Sequence, residues 1–149
     1  MIMKNLFYVL FAAIVLISCA NGTKAKSNTP NEEKIQANHI EVLYFHGAQR
    51  CMTCRAIESN TVALLESLYA NEKAKGLIRF KVIDVSKKKN EQLAKKYEVS
   101  WSSLFINSWK DGKETVKNMT AFSFKNARTN PDNFKAGIQF EINKLLKQL

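Results

Sequence analysis

The chain has 149 residues, a length that suits one folded domain with a short appendage. Its hydrophobic fraction of 46% is ordinary for a globular protein. A formal net charge of +10 is compatible with nucleic acid, a membrane surface or an acidic partner, but a solvated, lysine-rich surface is the simpler interpretation, and we predict no nucleic-acid partner. Three cysteines are too few for a disulfide-stapled scaffold, so that class is excluded and each cysteine needs its own explanation.

The N-terminus has the pattern of an export signal. Lys4 precedes an apolar run over residues 6–17, which is shorter than the roughly 17–25 residues of a membrane-spanning helix. The Leu-Ile-Ser-Cys sequence that ends at Cys19 resembles the lipobox of bacterial lipoproteins. This resemblance implies that residues 1–18 are a signal peptide, removed before lipid is attached to Cys19. The alternative is a plain signal peptide with an incidental cysteine.

The segment after Cys19 should be a tether. Residues 20–31 are small, polar and rich in residues that break helices and strands, so they cannot bury a core. Residues 32–39 are compatible with a short helix or with an extra strand. We therefore predict a lipid-anchored flexible tether over residues 19–38 and a folded domain over residues 39–149. The lipid would hold this domain on the extracytoplasmic side of a bacterial envelope membrane.

The folded domain should begin with a strand, a helix and a second strand. Residues 40–45 form a nearly continuous apolar run, typical of a central strand buried on both faces. Apolar residues then recur every three to four positions over residues 51–70, which predicts a helix, and the polar, glycine-ending residues 71–76 should stop it. Residues 77–85 predict a second strand. Because a helix connects the two strands, they should be parallel with a right-handed crossover.

A short helix should follow the second strand. Residues 90–97 show helical spacing, with Leu93 and Tyr97 facing inward. A basic surface surrounds this helix, and it is made of Lys87, Lys88, Lys89, Lys95 and Lys96. Such a run is usually a solvated face, and docking of a partner is the alternative.

The remaining segments predict a hairpin and a closing helix. Residues 104–109 and 114–119 are extended runs joined by Asp-Gly, a strong signal for an antiparallel hairpin. Residues 120–130 should form a polar loop, and apolar residues recur at helical spacing over residues 131–149. The predicted order β-α-β-α-β-β-α is that of an α/β fold with a mixed central sheet and helices on both faces.

A pair of cysteines lies at the turn between the first strand and the first helix. Cys51 is at the predicted start of the helix, where unpaired N–H groups and a partial positive charge favour a thiolate. Arg50 and Arg55 add positive potential, so the pKa of Cys51 should lie below the free value of about 8.5. Cys54 is one turn further along. We predict a redox-active disulfide in which Cys51 is the nucleophile and Cys54 the resolving thiol.

A metal site is the alternative for the same pair. A structural zinc site normally needs four ligands, and only His39 and His46 could complete one with the two cysteines. Their spacing matches no common zinc finger, so we predict no resident metal. Met52 and Thr53, between the cysteines, should adjust the stiffness of the loop and its reduction potential.

The Cys-x-x-Cys helix start, the βαβ unit, the hairpin and the closing helix together resemble the thioredoxin superfamily. The resemblance covers residues 40–149. It implies the thioredoxin fold and exchange with protein thiols or disulfides, with a membrane electron donor resetting the pair.

Two features depart from the thioredoxin pattern. Thioredoxins have a cis-proline before the strand that faces the dithiol, whereas this chain has Ser102 and Ser103 there. The difference weakens the expectation of general thioredoxin-like substrate handling and favours metal or metalloid capture. Trp101 and the two serines should face the sulfurs, although simple packing is an alternative for the tryptophan. The buried acid that often assists the second cysteine is also missing, and Tyr44 or Phe45 occupies that region.

Four segments resemble a narrower group. The lipobox and residues 44–47, 50–54 and 99–104 are similar to the ArsF family, also called "nitrophenyl compound nitroreductase subunit", of Bacteroidetes-type thioredoxin-like lipoproteins. The resemblance implies work on arsenic or nitroaromatic compounds beside an arsenic-resistance permease. A nitroreductase would need a flavin, for which the sequence has no evident site, and we predict no cofactor.

The sequence therefore supports two main hypotheses. The first is a membrane-anchored thiol–disulfide oxidoreductase outside the cytoplasm, linked through the ArsF resemblance to metalloid detoxification. The second is a carrier whose two thiolates bind arsenite, copper or mercury and hand the cargo to a permease. A third, weaker hypothesis is an inert lipoprotein whose dithiol is only a structural disulfide.

Overall fold

The computed structural model describes residues 37–149. The predicted signal peptide, the predicted lipidation site Cys19 and the predicted tether up to residue 36 lie outside the described residues. In the part of the chain that is described, none of the helices has the length and apolar character to cross a membrane.

Within residues 37–149 the chain forms four strands and five α-helices. They are, in chain order, β1 (His39–His46), α1 (Met52–Leu68), α2 (Ala70–Ala74), β2 (Ile78–Asp84), α3 (Glu91–Lys96), β3 (Ser103–Lys110), β4 (Lys113–Asn118), α4 (Thr120–Asn126) and α5 (Pro131–Leu146). A single 3-10 turn at Lys88–Asn90 precedes α3.

The strands form one mixed sheet in the order β2-β1-β3-β4. β1 pairs parallel with β2 and antiparallel with β3, and β4 pairs antiparallel with β3. Asp111 and Gly112 join β3 to β4 with φ values of 50° and 75°, the positive values that a type I′ hairpin turn requires. A parallel βαβ unit followed by a hairpin and a closing helix is the thioredoxin fold, so the predicted α/β class is confirmed.

β1 is the centre of the core and is buried on both faces, as its apolar sequence predicts. Ile40, Val42 and Tyr44 belong to the larger apolar cluster, which also contains the buried faces of α1 and α5. Leu43 and Phe45 belong to the smaller cluster, beside α3. Each such side chain contributes roughly 1.5–3 kcal/mol when it is fully buried, so both faces anchor the strand.

The first helix is interrupted rather than stopped. α1 ends at Leu68, the backbone of Tyr69 departs from helical geometry (φ −128°), and α2 resumes at Ala70. The predicted stop over residues 71–76 is therefore wrong except at its end. The polar residues of this segment do not end the helix, because glutamate and lysine, like alanine, are good helix formers. The left-handed Gly76 (φ 72°) is what terminates the segment.

The predicted loop after β4 is wrong over its first half, where α4 forms. Serine, threonine and asparagine have modest helix propensity, so tertiary contacts stabilise this helix. The hydroxyl of Ser123 donates to the carbonyl of Met119 at 2.7 Å inside the protein. The ring of Phe122 stacks on that of Phe134 in α5, with 6.4 Å between centroids.

Candidate active site

The cysteine pair lies where the chain turns from the end of β1 into α1. Cys51 is the N-cap residue of α1 and has extended backbone angles (φ −69°, ψ 168°). Its carbonyl accepts the first helical hydrogen bond, from Arg55 N at 3.1 Å, and its sulfur accepts from Cys54 N at 3.2 Å. A side-chain acceptor at this position satisfies a helix N–H that would otherwise lack a partner. The sulfur of Cys51 is therefore held at the positive end of the helix, as the sequence predicts.

The two cysteines form a disulfide, and they differ in exposure. Their Cα atoms are 5.1 Å apart. Cys51 is exposed, whereas Cys54 is buried, with 7% of its surface accessible. The first cysteine is thus the more accessible to a partner from solution, and the second is shielded by the protein. This asymmetry agrees with the predicted roles of nucleophile and resolving thiol, which remain predictions.

Tyr44 contacts the backbone of the cysteine pair from the sheet side of α1. This fully buried residue of β1 faces α1, and its hydroxyl donates to the carbonyl of Cys54 at 2.7 Å. Phe45 points to the other face of the sheet, where its ring lies against Tyr97 and Phe105. Of the two residues considered for the region of the missing buried acid, Tyr44 is thus the one whose hydroxyl reaches the backbone of the cysteine pair.

An ion pair beside the cysteines was not foreseen from the sequence. The guanidinium of Arg50 binds the carboxylate of Glu58, two turns along α1, and lies 5.5 Å from the centre of the Tyr44 ring. Burial opposes the charge on Arg50, but its hydrogen bonds to Glu58 and Tyr44 outweigh burial and raise its pKa. The positive potential expected from Arg50 is thus shared with a carboxylate. The sequence carries one indication of this contact, because Glu58 lies seven residues after Cys51 and therefore on the same side of the helix.

The other flanking residues are open to solvent. Arg55 and Met52 are exposed, and Thr53 is half-buried. Met52 is 69% exposed, so an apolar side chain lies at the surface between the two cysteines.

The loop before β3 lies at the same edge of the sheet, because Ser103 pairs with Phe45 at the end of β1. Ser102 and Ser103 are buried. Trp101 is 68% exposed and stacks on Phe124 of α4, with 6.1 Å between ring centroids. This stacking is compatible with the simple packing considered for the tryptophan. That all three residues face the sulfurs remains a prediction.

The two histidines are too far apart to form the zinc site considered above. His39 begins β1 and His46 ends it, and seven residues of extended strand span about 23 Å. His39 is buried, and its Nδ1 lies 2.7 Å from the carbonyl of Ala37. Among residues 37–149, no group of three or more histidine, cysteine or acidic side chains could hold a metal ion.

A second charged cluster lies at the far end of the sheet from the cysteines. Glu41 is buried on β1, where its carboxylate accepts from Lys81 Nζ at 2.6 Å and from Trp109 Nε1 at 3.2 Å. His39 Nε2 is 3.7 Å from the same carboxylate. Alternation along the strand did not reveal this cluster, because Glu41 interrupts an otherwise apolar run without a local partner.

The predicted basic surface around α3 is partly neutralised. Lys95 pairs with Glu91 within α3 at 2.6 Å, and Lys96 pairs with Glu114 of β4 at 2.6 Å. Lysines engaged with carboxylates of their own domain are less available to a partner. This arrangement favours a solvated face over a docking surface.

No family model matches the chain, and no curated protein matches it. A malarial protein of known structure is 19% identical with a TM-score of 0.38, and the match covers 58% of this chain and 93% of that one. A thioredoxin from Fasciola hepatica is 24% identical with a TM-score of 0.39, over 58% of this chain and 75% of that one. A thioredoxin from Thermus thermophilus is 15% identical with a TM-score of 0.38, over 60% and 72% respectively. At these identities and TM-scores the likenesses carry no conclusion about activity.

Proposed function

We propose that the chain is a thiol–disulfide oxidoreductase. The observation that carries this proposal is the exposed residue Cys51 at the N-terminus of α1, with the buried Cys54 one turn behind it in the same disulfide. A structural disulfide has no need of one exposed sulfur at a site that stabilises an anion, whereas an attacking thiol needs both properties.

The exchange proceeds in two displacements. The Cys51 thiolate attacks one sulfur of a target disulfide, forming a mixed disulfide and releasing the other target sulfur as a thiolate. Cys54, after losing its proton to solvent, attacks the Cys51 sulfur and releases the second target thiolate. Two electrons pass from the dithiol to the target, whose two thiolates take up two protons. The reverse sequence oxidises a target dithiol.

We also propose the setting in which this exchange occurs. The lipobox that ends at Cys19 supports a lipid anchor on the extracytoplasmic side of a bacterial envelope membrane. A membrane electron donor would then return the Cys51–Cys54 disulfide to the dithiol. The resemblance to the ArsF family supports a role beside a permease in metalloid detoxification.

A trapping experiment tests the exchange. In a Cys54→Ser variant the mixed disulfide on Cys51 cannot be resolved, so covalent adducts should accumulate and run as reducible bands on gels. A Cys51→Ser variant is the matched control and should give none, because the remaining Cys54 is buried. The absence of adducts in the Cys54→Ser variant, together with an inert dithiol in insulin reduction, would refute the proposal.

A carrier function is the second candidate. Two cysteines with Cα atoms 5.1 Å apart can present two soft ligands to one trivalent arsenical. Ser102 and Ser103 lie in the region where thioredoxins have a proline that keeps metals off the thiols. Titrating the reduced protein with arsenite while counting free thiols separates the candidates. Loss of two thiols per arsenic with no turnover of disulfides would favour the carrier.

A further inference from the structure

Arg50 is adjacent to Cys51 in the chain, yet its charged end is bound elsewhere. Nη2 of Arg50 donates a hydrogen bond to Oε2 of Glu58, and the guanidinium lies over the ring of Tyr44. The ion pair is half-buried, with 24% of the Arg50 side chain and 27% of the Glu58 side chain exposed. It is therefore less screened by solvent than a pair on the open surface.

The position of Glu58 determines where the guanidinium lies. Seven residues separate Cys51 from Glu58, which is almost two turns, or about 10 Å along the helix axis on the same side of α1. A carboxylate at that point draws the guanidinium along the helix, away from the N-terminus that Cys51 caps. Without Glu58, the side chain of Arg50 would be free to return towards Cys51.

One donor of Arg50 is unused while the cysteines are oxidised. Its Nε is enclosed, and within residues 37–149 it has no hydrogen-bond partner. A disulfide sulfur is a weak acceptor, whereas a thiolate is an anion that accepts strongly from a guanidinium. Reduction of the pair therefore creates an anionic acceptor on Cys51, the chain neighbour of a residue that has one donor without a partner.

We propose that Glu58 is a positioning residue that holds Arg50 along α1 and so limits the stabilisation that Arg50 gives to the Cys51 thiolate. This inference rests on the proposed function, since it concerns the same thiolate. Glu58 and the thiolate compete for one cation. Removing the carboxylate should stabilise the thiolate and make the pair more oxidising, and removing the cation should do the opposite.

The test compares the pH dependence of Cys51 alkylation by iodoacetamide in the reduced full-length protein, read by mass spectrometry. Glu58→Gln should move the midpoint of this profile to lower pH and raise the alkylation rate on its acidic side roughly twofold to fivefold, the range expected of a charge at a helix end. Arg50→Met should move the midpoint to higher pH. Glu58→Asp, which keeps the charge, should stay close to the wild type.

The chain offers a matched control in the same helix. Glu66 of α1 pairs with Lys73 of α2, so Glu66→Gln removes a comparable ion pair away from the cysteines. Its alkylation profile should equal that of the wild type. The equilibrium constant of each variant with glutathione gives a second readout, and Glu58→Gln should hold more of the reduced form than the wild type does.

The outcomes separate this inference from the function on which it rests. If Glu58→Gln leaves the profile unchanged, moves it to higher pH, or moves it no more than Glu66→Gln does, the positioning role is refuted even when Cys54→Ser still traps partners. If no partner is trapped but the profile moves as expected, the proposed function fails and the control of Arg50 by Glu58 stands. Urea unfolding of each variant shows that the compared proteins are folded.

Discussion

At the scale of single residues, Cys51 combines the two properties that an attacking thiol needs. It is exposed, and its sulfur accepts a hydrogen bond at the start of a helix. Neither property depends on a distant part of the chain, because the turn after β1 and the first turn of α1 produce both. Tyr44 adds a buried hydrogen bond that ties α1 to the sheet beneath the pair.

Tyr44→Phe tests that tie. The change removes the hydroxyl that donates to the Cys54 carbonyl and keeps the ring under Arg50, so urea unfolding should show a loss of about 0.5–1.5 kcal/mol. The reduction potential, measured against glutathione, should shift as well, because the carbonyl belongs to the resolving cysteine. Tyr69→Phe is the matched control: it removes the 2.8 Å hydrogen bond to Asn143 and should reduce stability without shifting the potential. If the reduction potential of Tyr44→Phe equals that of the wild type, this hydroxyl has no role in setting the potential.

Glu41 provides a pH-dependent contribution to stability. Burial works against its charge, but the hydrogen bond and charge of Lys81, with the indole of Trp109 and the charge of His39, outweigh burial and lower its pKa below 4.5. Because the folded pKa lies below the unfolded one, the ionised carboxylate stabilises the fold above about pH 4.5, and this contribution is lost as the pH falls through the folded pKa. Glu41→Gln should therefore reduce the free energy of unfolding at pH 7 by about 1 kcal/mol, since Lys81 is half-exposed, and should make that free energy fall less steeply in acid.

Urea titrations between pH 7 and pH 3 measure this difference. The exposed pair of Glu91 with Lys95 supplies the control, and Glu91→Gln should leave the acid limb close to that of the wild type. An acid limb for Glu41→Gln that is as steep as the wild-type limb would show that another group is responsible.

At the scale of elements, the sequence predicts those strands, helices and turns whose residue types follow a regular local pattern. β1 is a nearly continuous apolar run, α1 and α5 carry apolar residues at a period of 3.6, and the Asp-Gly turn specifies the hairpin, so all four follow from local pattern. The sequence pattern does not predict α2 and α4, because their polar composition is equally typical of loops. The partnership of Arg50 with Glu58 and the contact of Tyr44 with Cys54 depend on which way side chains point, and a pattern of residue types does not contain that information.

The loop before β3 and helix α4 together carry a stacked aromatic pair, the exposed Trp101 on the half-buried Phe124, at the edge of the sheet where α1 begins. Such a pair is suited to contact the chain that flanks a target disulfide. Trp101→Ala should weaken exchange with a protein disulfide about fivefold, as the loss of a central aromatic contact does, and leave exchange with oxidised glutathione unchanged. Stability should change little because the side chain is 68% exposed. Insulin reduction and a glutathione assay measure the two rates.

The control for that experiment is Phe140, an equally exposed aromatic residue on α5 (66% exposed). Phe140→Ala should leave both rates unchanged. If Trp101→Ala slows exchange with insulin and with glutathione equally, the tryptophan affects the reactivity of the cysteines rather than the binding of a protein partner.

At the scale of the whole molecule, the sheet separates two environments. The face covered by α1, α4 and α5 holds the larger apolar cluster, and Tyr44 links that cluster to the cysteine pair. The opposite face is covered by the short α3 over the smaller apolar cluster, and further along it carries the buried charges around Glu41. The proposed redox site and the pH-dependent stability thus belong to different faces and different ends of β1, so a variant can alter one and spare the other.

The predicted lipid anchor can be tested in the same protein, because it uses the cysteine that the disulfide does not. Cys19→Ser should move the protein from the membrane fraction to the soluble fraction of the envelope, since several acyl chains on one residue hold a protein firmly to a membrane. Cys51→Ser is the control and should remain in the membrane fraction. Mass spectrometry of the wild type should find a mature N-terminus at Cys19 carrying lipid. A protein cleaved elsewhere, or soluble with Cys19 intact, would leave the plain signal peptide as the explanation, and the exchange proposed for Cys51 and Cys54 would then have to operate without a membrane anchor.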